Sequence, residues 1–252
     1  MKISLLAGAF LLFMVGCMGT SGGTIIQISN GYSAGDVEDM LAEIVGPTVQ
    51  IRLPKGGSGS GVVFYQDSDK AFILTAYHVV DTDPVVEVWH HDQIEESVKV
   101  TAGKVVRIDK DHDIAVLITE PIWVHVAQII TTQQIARLKP MMPIIVYGHE
   151  EGRTDPHPTD GRIADLDDEG KMRFSASAWF GNSGCGAFIK FDGHWHLLSI
   201  MQLIAIDRGH IVPNVSLGCL PEEMISATED PPTEPIKPEP FPEFSFPLPQ
   251  GD

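Results

Sequence analysis

Positive charge is what this chain has least of: 17 lysines and arginines stand against 34 aspartates and glutamates, a net charge of −17. The deficit is not confined to the C-terminal end. Setting aside Lys2 and everything from residue 229 onward still leaves 28 acids and 15 bases. Such a surface repels a phosphate backbone, which disfavours a nucleic-acid partner. Long apolar runs are also missing. Residues 3–15, behind Lys2, are too short to span a bilayer comfortably but suit the core of an export signal. The run Gly56-Gly57-Ser58-Gly59-Ser60-Gly61 has no following Lys-Ser or Lys-Thr, which excludes a phosphate-binding loop. It reads as a flexible lead into the next strand. Cysteine is scarce: the three are Cys17, Cys185 and Cys219, so at most one bridge can form within the chain. The paired His90 and His91, and His194 with His196 on one face of a strand, read as solvent-facing hairpin residues rather than metal ligands. The sequence calls for no cofactor and no metal.

What is present is enough apolar residue, 43% of the chain, to bury a sizeable core. The pattern divides the chain into an export signal (1–17), a small, mostly polar tether (18–35), a folded domain (36–227) and a tail (228–252). Val37, Met40, Leu41, Ile44 and Val45 recur at helical spacing, predicting a helix over 36–45 that Gly46-Pro47 stops. The period then shortens. Strands are predicted over 48–53, 61–65, 72–76, 85–89, 98–108 and 114–118. After a break at 120–140, more follow over 144–147, 161–166, 171–176, 187–191 and 196–206, and a short helix over 221–227 closes the domain. The fold class is therefore all-β, a barrel or sandwich. Eight of the 18 prolines fall between residues 229 and 252, mixed with glutamates and three phenylalanines. That composition builds no core and reads as a disordered tail.

Three segments carry chemistry. They are Leu74-Thr75-Ala76-Tyr77-His78-Val79-Val80, the acidic stretch from Asp109 to Asp113 leading into Ile114-Ala115-Val116-Leu117, and Gly181-Asn182-Ser183-Gly184. A serine hydroxyl is a weak nucleophile at neutral pH. It needs an adjacent base, and the base needs a third group to orient it. The segments supply Ser183, His78 and an aspartate in those roles. Gly181 lets the backbone turn its N–H groups inward, where those of Gly181 and Ser183 would bind an oxyanion. Gly184 keeps a side chain off the incoming carbonyl. The order histidine, aspartate, serine separates one triad scaffold from the others. It also speaks against an esterase on the α/β scaffold, whose histidine comes last and whose Gly-x-Ser-x-Gly would need glycine where Cys185 stands. Asp109, Asp111 and Asp113 share one parity, so strand alternation alone does not choose among them.

Together with Gly59-Ser60-Gly61-Val62-Val63-Phe64 and Ile144-Ile145-Val146-Tyr147-Gly148, these segments make residues 37–227 resemble the chymotrypsin-fold serine peptidases, specifically the bacterial Do-like (HtrA-like) branch. The resemblance implies two six-stranded β-barrels with short flanking helices and the active site in their cleft. His78 and Asp113 would come from the first barrel and Ser183 from the second. It selects Asp113 over its rivals by adjacency to Ile114-Ala115-Val116-Leu117. It places Ser177 on the floor of the primary pocket, which as an uncharged residue implies no strong preference for Arg or Lys, and Met201 and Gln202 along the pocket wall. Cys185 replaces the second of two glycines that the family has after its serine. The chain ends without the PDZ peptide-binding domains that often follow in this branch. Met14-Val15-Gly16-Cys17 resembles a bacterial lipobox, implying lipidation of Cys17. Cys185 and Cys219 are then left either as a disulfide or as two buried thiols. The expected protein is an exported serine endopeptidase at the cell envelope, membrane-anchored by lipid or else periplasmic or secreted. It would act on protein or peptide substrates, with a homo-oligomer implied by the branch. The competing expectation is a catalytically silent binding protein that kept the barrels.

Overall fold

The computed structural model describes residues 34–92, 97–122, 124–166, 170–207 and 210–229. The export signal, most of the tether, Cys17 and the proline-rich tail lie outside them. Strands β1 (Thr48–Arg52), β2 (Ser58–Gln66), β3 (Ala71–Ala76), β4 (Val85–Asp92), β5 (Ser97–Asp109) and β6 (Ile114–Thr119) close into an antiparallel barrel in the order β1-β2-β3-β6-β5-β4. A second set consists of β7 (Gln128–Ile129), β8 (Pro143–Gly148), β9 (His157–Leu166), β10 (Met172–Phe174), β11 (Gly186–Phe191), β12 (His194–Asp207) and β13 (His210–Gly218). Here the order β11-β8-β9-β10-β13-β12 is closed by pairing of β11 with β12, giving a second six-stranded barrel. Strand β7 adds to β12 in parallel, with Gln128 opposite His196.

Strands β3 and β6 are apolar on both faces because both faces are covered. In β3, Ala71 and Ile73 point into the core of the first barrel, while Phe72 and Leu74 join the core shared with the second. In β6, Ala115 and Leu117 face inward, while Ile114 and Val116 face the second barrel. The two-residue period of a strand thus sorts one apolar run into two cores. The outer wall of the first barrel becomes part of the core of the second.

Short helices fasten the ends. Helix α1 (Ala34–Met40) runs into a wider π-type turn over Leu41–Val45, and Met40, Ile44 and Val45 pack on the second barrel. Lys190 reaches Asp36 at 2.5 Å, and Glu43 accepts from His194 Nδ1 at 2.7 Å and from the Trp195 N–H at 2.8 Å. Helix α2 (Tyr77–Val80) follows β3, and α3 (Thr132–Ile135) occupies the break between barrels. Helix α4 (Pro221–Thr228) closes the domain. Its last carbonyls, on Ser226 and Ala227, and that of Glu229 accept from Arg107 of β5 at 3.1, 2.7 and 2.9 Å. A helix that follows the second barrel is in this way strapped to the first.

The glycine-rich run departs from its expected role as a flexible lead. Ser58, Gly59, Ser60 and Gly61 are already in β2, and Ser60 is fully buried. Strands β7 and β13 and helix α3 lie where no element was expected.

Candidate active site

The register of β3 on β6 sets Ala76 opposite Ile114, so the residues just beyond each strand end, Tyr77-His78 and Asp113, meet. Asp113, the residue just ahead of β6, stands in the left-handed region, at φ +54°. An aspartate tolerates this at a cost of about 1 kcal/mol, and the bonds it gains offset that cost. Its carbonyl accepts from the Tyr77 N–H at 3.1 Å. Its carboxylate accepts from the His78 N–H at 2.9 Å and faces His78 Nδ1 at 2.8 Å. These bonds satisfy first-turn N–H groups of α2 that no intrahelical carbonyl can reach. An ionised carboxylate only accepts, so Nδ1 carries the proton and Nε2 is left as the basic nitrogen. Asp109, one rival, instead pairs with His112 Nδ1 at 2.7 Å. That hydrogen bond raises the His112 pKa, as does the charge of Glu223 on α4, 3.3 Å from His112 Nε2.

Ser183 lies in the loop between β10 and β11. The loop is held to the first barrel by its backbone: the Ser60 N–H donates to the Ser183 carbonyl at 2.8 Å, and Ser60 Oγ donates to the Gly181 carbonyl at 2.9 Å. Gly181 sits at φ +97° and Gly184 at φ +83°. A Cβ on Gly184 would run into the Ser60 carbonyl and Thr75 Oγ1, two residues of the first barrel. The glycine is therefore required by contact between barrels, and clearing space for substrate is not what demands it. A Cβ on Gly181 would meet the His149 carbonyl and, at 2.8 Å, the Glu151 nitrogen.

The loop's N–H groups divide cleanly. Those of Asn182, Gly184 and Cys185 donate to the carbonyls of Trp179, Met201 and Asn182 at 3.0, 2.7 and 2.9 Å. Among the described residues, the N–H groups of Gly181 and Ser183 have no acceptor. These are the two donors an oxyanion would need. Among the same residues the Ser183 hydroxyl makes no hydrogen bond to His78. The imidazole is open, its side chain 41% exposed.

The turn over residues 149–153 backs the loop and carries no signal that sequence reading used. The His149 N–H donates to Ser60 Oγ at 2.9 Å, and the Glu151 N–H donates to the Phe180 carbonyl at 2.5 Å. His149 is buried, with Nδ1 3.1 Å from the Arg153 carbonyl and its ring centroid 5.2 Å from that of His91. Burial, with the His91 and Arg52 charges nearby, pulls its pKa down to about 3. Gln50 Nε2 holds the turn's Gly152 and Arg153 carbonyls at 2.9 and 3.1 Å.

The remaining expected site residues fall in different places. Ser177 is half-buried. Met201 and Gln202 are 2% exposed each, so neither presents a side chain to solvent as a pocket wall would. The Met201 carbonyl accepts from Gly184, and the Gln202 amide turns to the carbonyls of His112 and Asp113. Cys185 and Cys219 are both buried free thiols, so the bridge kept open above does not form. The Cys185 side chain lies against Gly148, where burial pushes its pKa up, and the Cys219 sulfur accepts from the Ile200 N–H at 3.4 Å. His194 is on Glu43 and His196 Nε2 is 3.0 Å from Gln134, both away from Ser183.

Known proteins share this arrangement of strands. The serine endoprotease from Yersinia pestis matches with a TM-score of 0.60 at 18% identity, over 76% of this chain and 65% of that one. This chain thus spans just under two thirds of that structure. Deg5 matches with a TM-score of 0.59 at 19% identity, over 76% of this chain and 90% of its own. The inactive form of the M. tuberculosis Rv3671c protease matches with a TM-score of 0.56 at 20% identity, over 72% and 87%. No curated protein matches the sequence. The trypsin-like peptidase domain matches residues 59–195, which contain His78, Asp113 and Ser183 and make up more than half of the chain. The chain belongs to the trypsin-like peptidase domain family, and it has the two-barrel chymotrypsin-like fold of the serine proteases it resembles.

Proposed function

We propose that this protein is a serine endopeptidase in which Ser183 attacks a peptide carbonyl. His78 Nε2 takes the serine proton and returns it to the leaving amine, and Asp113 orients the imidazole and stabilises its cation. The observation that carries the reading is the division of the nucleophile loop: among the described residues the N–H groups of Gly181 and of Ser183 itself have no acceptor, and the His78 imidazole is already oriented by Asp113 at 2.8 Å. Preorganised donors of this kind are worth roughly 3–4 kcal/mol each in transition-state stabilisation. The serine–histidine bond is often long in ligand-free sites and tightens with substrate. The same open bond is what a catalytically silent binding protein on this scaffold would keep, so labelling must separate the two readings.

Substrates on this reading are proteins or peptides. Ser177, neutral and half-buried six positions before the nucleophile, favours a small aliphatic side chain over Arg or Lys in the primary pocket. The apolar stretch at 3–15 and the lipobox-like Met14-Val15-Gly16-Cys17 support export to the cell envelope with a lipid on Cys17. The Do-like resemblance supports a homo-oligomer. One experiment on fractionated cells tests the main points: a fluorophosphonate probe should label the wild-type protein in the membrane fraction. Ser183→Ala should lose the label, and Cys17→Ser should move it to the soluble fraction. Wild-type protein that resists the probe while a related peptidase reacts overturns the enzymatic reading. Label that stays in the membrane with Cys17→Ser overturns the anchor.

A further inference from the structure

We propose that Gln202 is a positioning residue that holds the backbone of Asp113 from the opposite barrel and so keeps the carboxylate aimed at His78. The inference rests on the reading of Ser183, His78 and Asp113 given above, and it assigns Gln202 a role other than pocket wall.

Gln202 projects from β12 and is 2% exposed. Its Nε2 donates to the carbonyl of His112 and, at 3.2 Å, to that of Asp113. Its Oε1 accepts from Lys171 Nζ at 2.7 Å. These partners fix the amide orientation without ambiguity. An ammonium only donates, so oxygen must face Lys171, and carbonyls only accept, so nitrogen must face the backbone. The Asp113 carbonyl is then held from two sides, by Gln202 and by the Tyr77 N–H at 3.1 Å.

The position of this bond matters because Asp113 stands at φ +54°, where nothing in strand geometry holds it. Its short side chain points wherever the 112–113 peptide sends it, and a rotation of that peptide would swing the carboxylate away from Nδ1. Residue 112 is also held from α4, through His112 Nε2 and Glu223 at 3.3 Å. The neighbouring residue of β12 holds the other part of the site. The Met201 carbonyl accepts the Gly184 N–H at 2.7 Å, so two consecutive residues of β12 hold the nucleophile loop and the aspartate backbone. The parts of the site that come from different barrels are thereby referred to one short stretch of strand.

The test uses the full chain and a fluorophosphonate probe. Gln202→Glu keeps the shape and the Lys171 partner but sets a carboxylate oxygen, which cannot donate, against two carbonyls. The expected result is a fall of about 10- to 100-fold in the inactivation rate constant, as for a small misplacement of catalytic groups. The probe's binding constant should stay within about twofold. The low-field proton resonance of the His78 Nδ1–H on Asp113 should be lost. A merely structural role would lower the melting temperature and leave both readouts in place, and that result overturns the proposal. If Gln202→Glu does not fold, Gln202→Met decides. It keeps the length but removes the N–H donor to both carbonyls, and an unchanged rate constant with the resonance intact overturns the proposal, whereas a drop in both supports it. Failure of wild-type labelling would tell against Ser183 as nucleophile, while the resonance, a property of the ground state, still tests Gln202.

Discussion

At the residue scale, His149 links protonation to the shape of the site. Its ring is neutral in the fold, with a pKa near 3 set first by burial, against about 6.5 in an unfolded chain. The unfolded chain therefore binds the extra proton at higher pH. The stability contributed by neutral His149 is fully present above pH 6.5 and is lost as pH falls from there toward 3. The loss should reach the order of 4 kcal/mol at the acid end. Denaturant unfolding followed against pH should show this slope for wild-type protein and a flatter one for His149→Asn, whose amide can still donate toward the Arg153 carbonyl. Equal slopes would remove His149 as the cause. Legibility at this scale depended on how far a side chain's role follows from its place in the chain. His78 and Ser183 stood out as candidates because the chemistry proposed for them needs particular neighbours. Asp113 was separable from Asp109 and Asp111 only by resemblance, since all three share one parity and Asp113 stands just ahead of β6 at positive φ. Gln202 was misplaced because strand position says where a Cα lies, while a side chain with three torsions can turn to the far barrel.

At the element scale, α1 is held by charge as much as by its apolar face. His194 has its pKa raised, first by its hydrogen bond to Glu43. A raised histidine stabilises below its unfolded value and ceases to do so as pH climbs through its folded one. NMR titration should show His194 ionising above the ordinary histidine value in wild-type protein and at that value in Glu43→Gln. The difference in stability between the two proteins should vanish as pH rises beyond 6.5. A wild-type titration at the ordinary value would mean that the pair does not form in solution. Most strands were legible from alternation and turn residues, but β7, β13 and α3 were not. Strand β7 has two residues and no period to read. Strand β13 contains Pro213 and Asn214, which read as a turn. Helix α3 has only four residues, yet Thr131 and Gln134 form the reciprocal capping box that could have marked it.

At the scale of the whole molecule, the barrels are not independent bodies. Phe72, Leu74, Ile114 and Val116 of the first barrel are built into the core of the second, and Arg107 ties α4 back across. Thermal unfolding should therefore be a single transition, with near- and far-ultraviolet circular dichroism changing at one midpoint. Two resolved transitions would show that the shared core does not couple the barrels. Backbone contact fastens the nucleophile loop, while the two side chains just ahead of it, Trp179 and Phe180, are exposed. Trp179 is 47% exposed two positions before Gly181, whereas Trp195 is 4% exposed at the far end of β12's pairing with β11. Among the described residues Trp179, four positions before Ser183, is thus the most exposed indole. On the proposed reading, a peptide or inhibitor bound beside Ser183 should change indole emission in wild-type protein and change it less in Trp179→Phe, a readout that needs no attached dye.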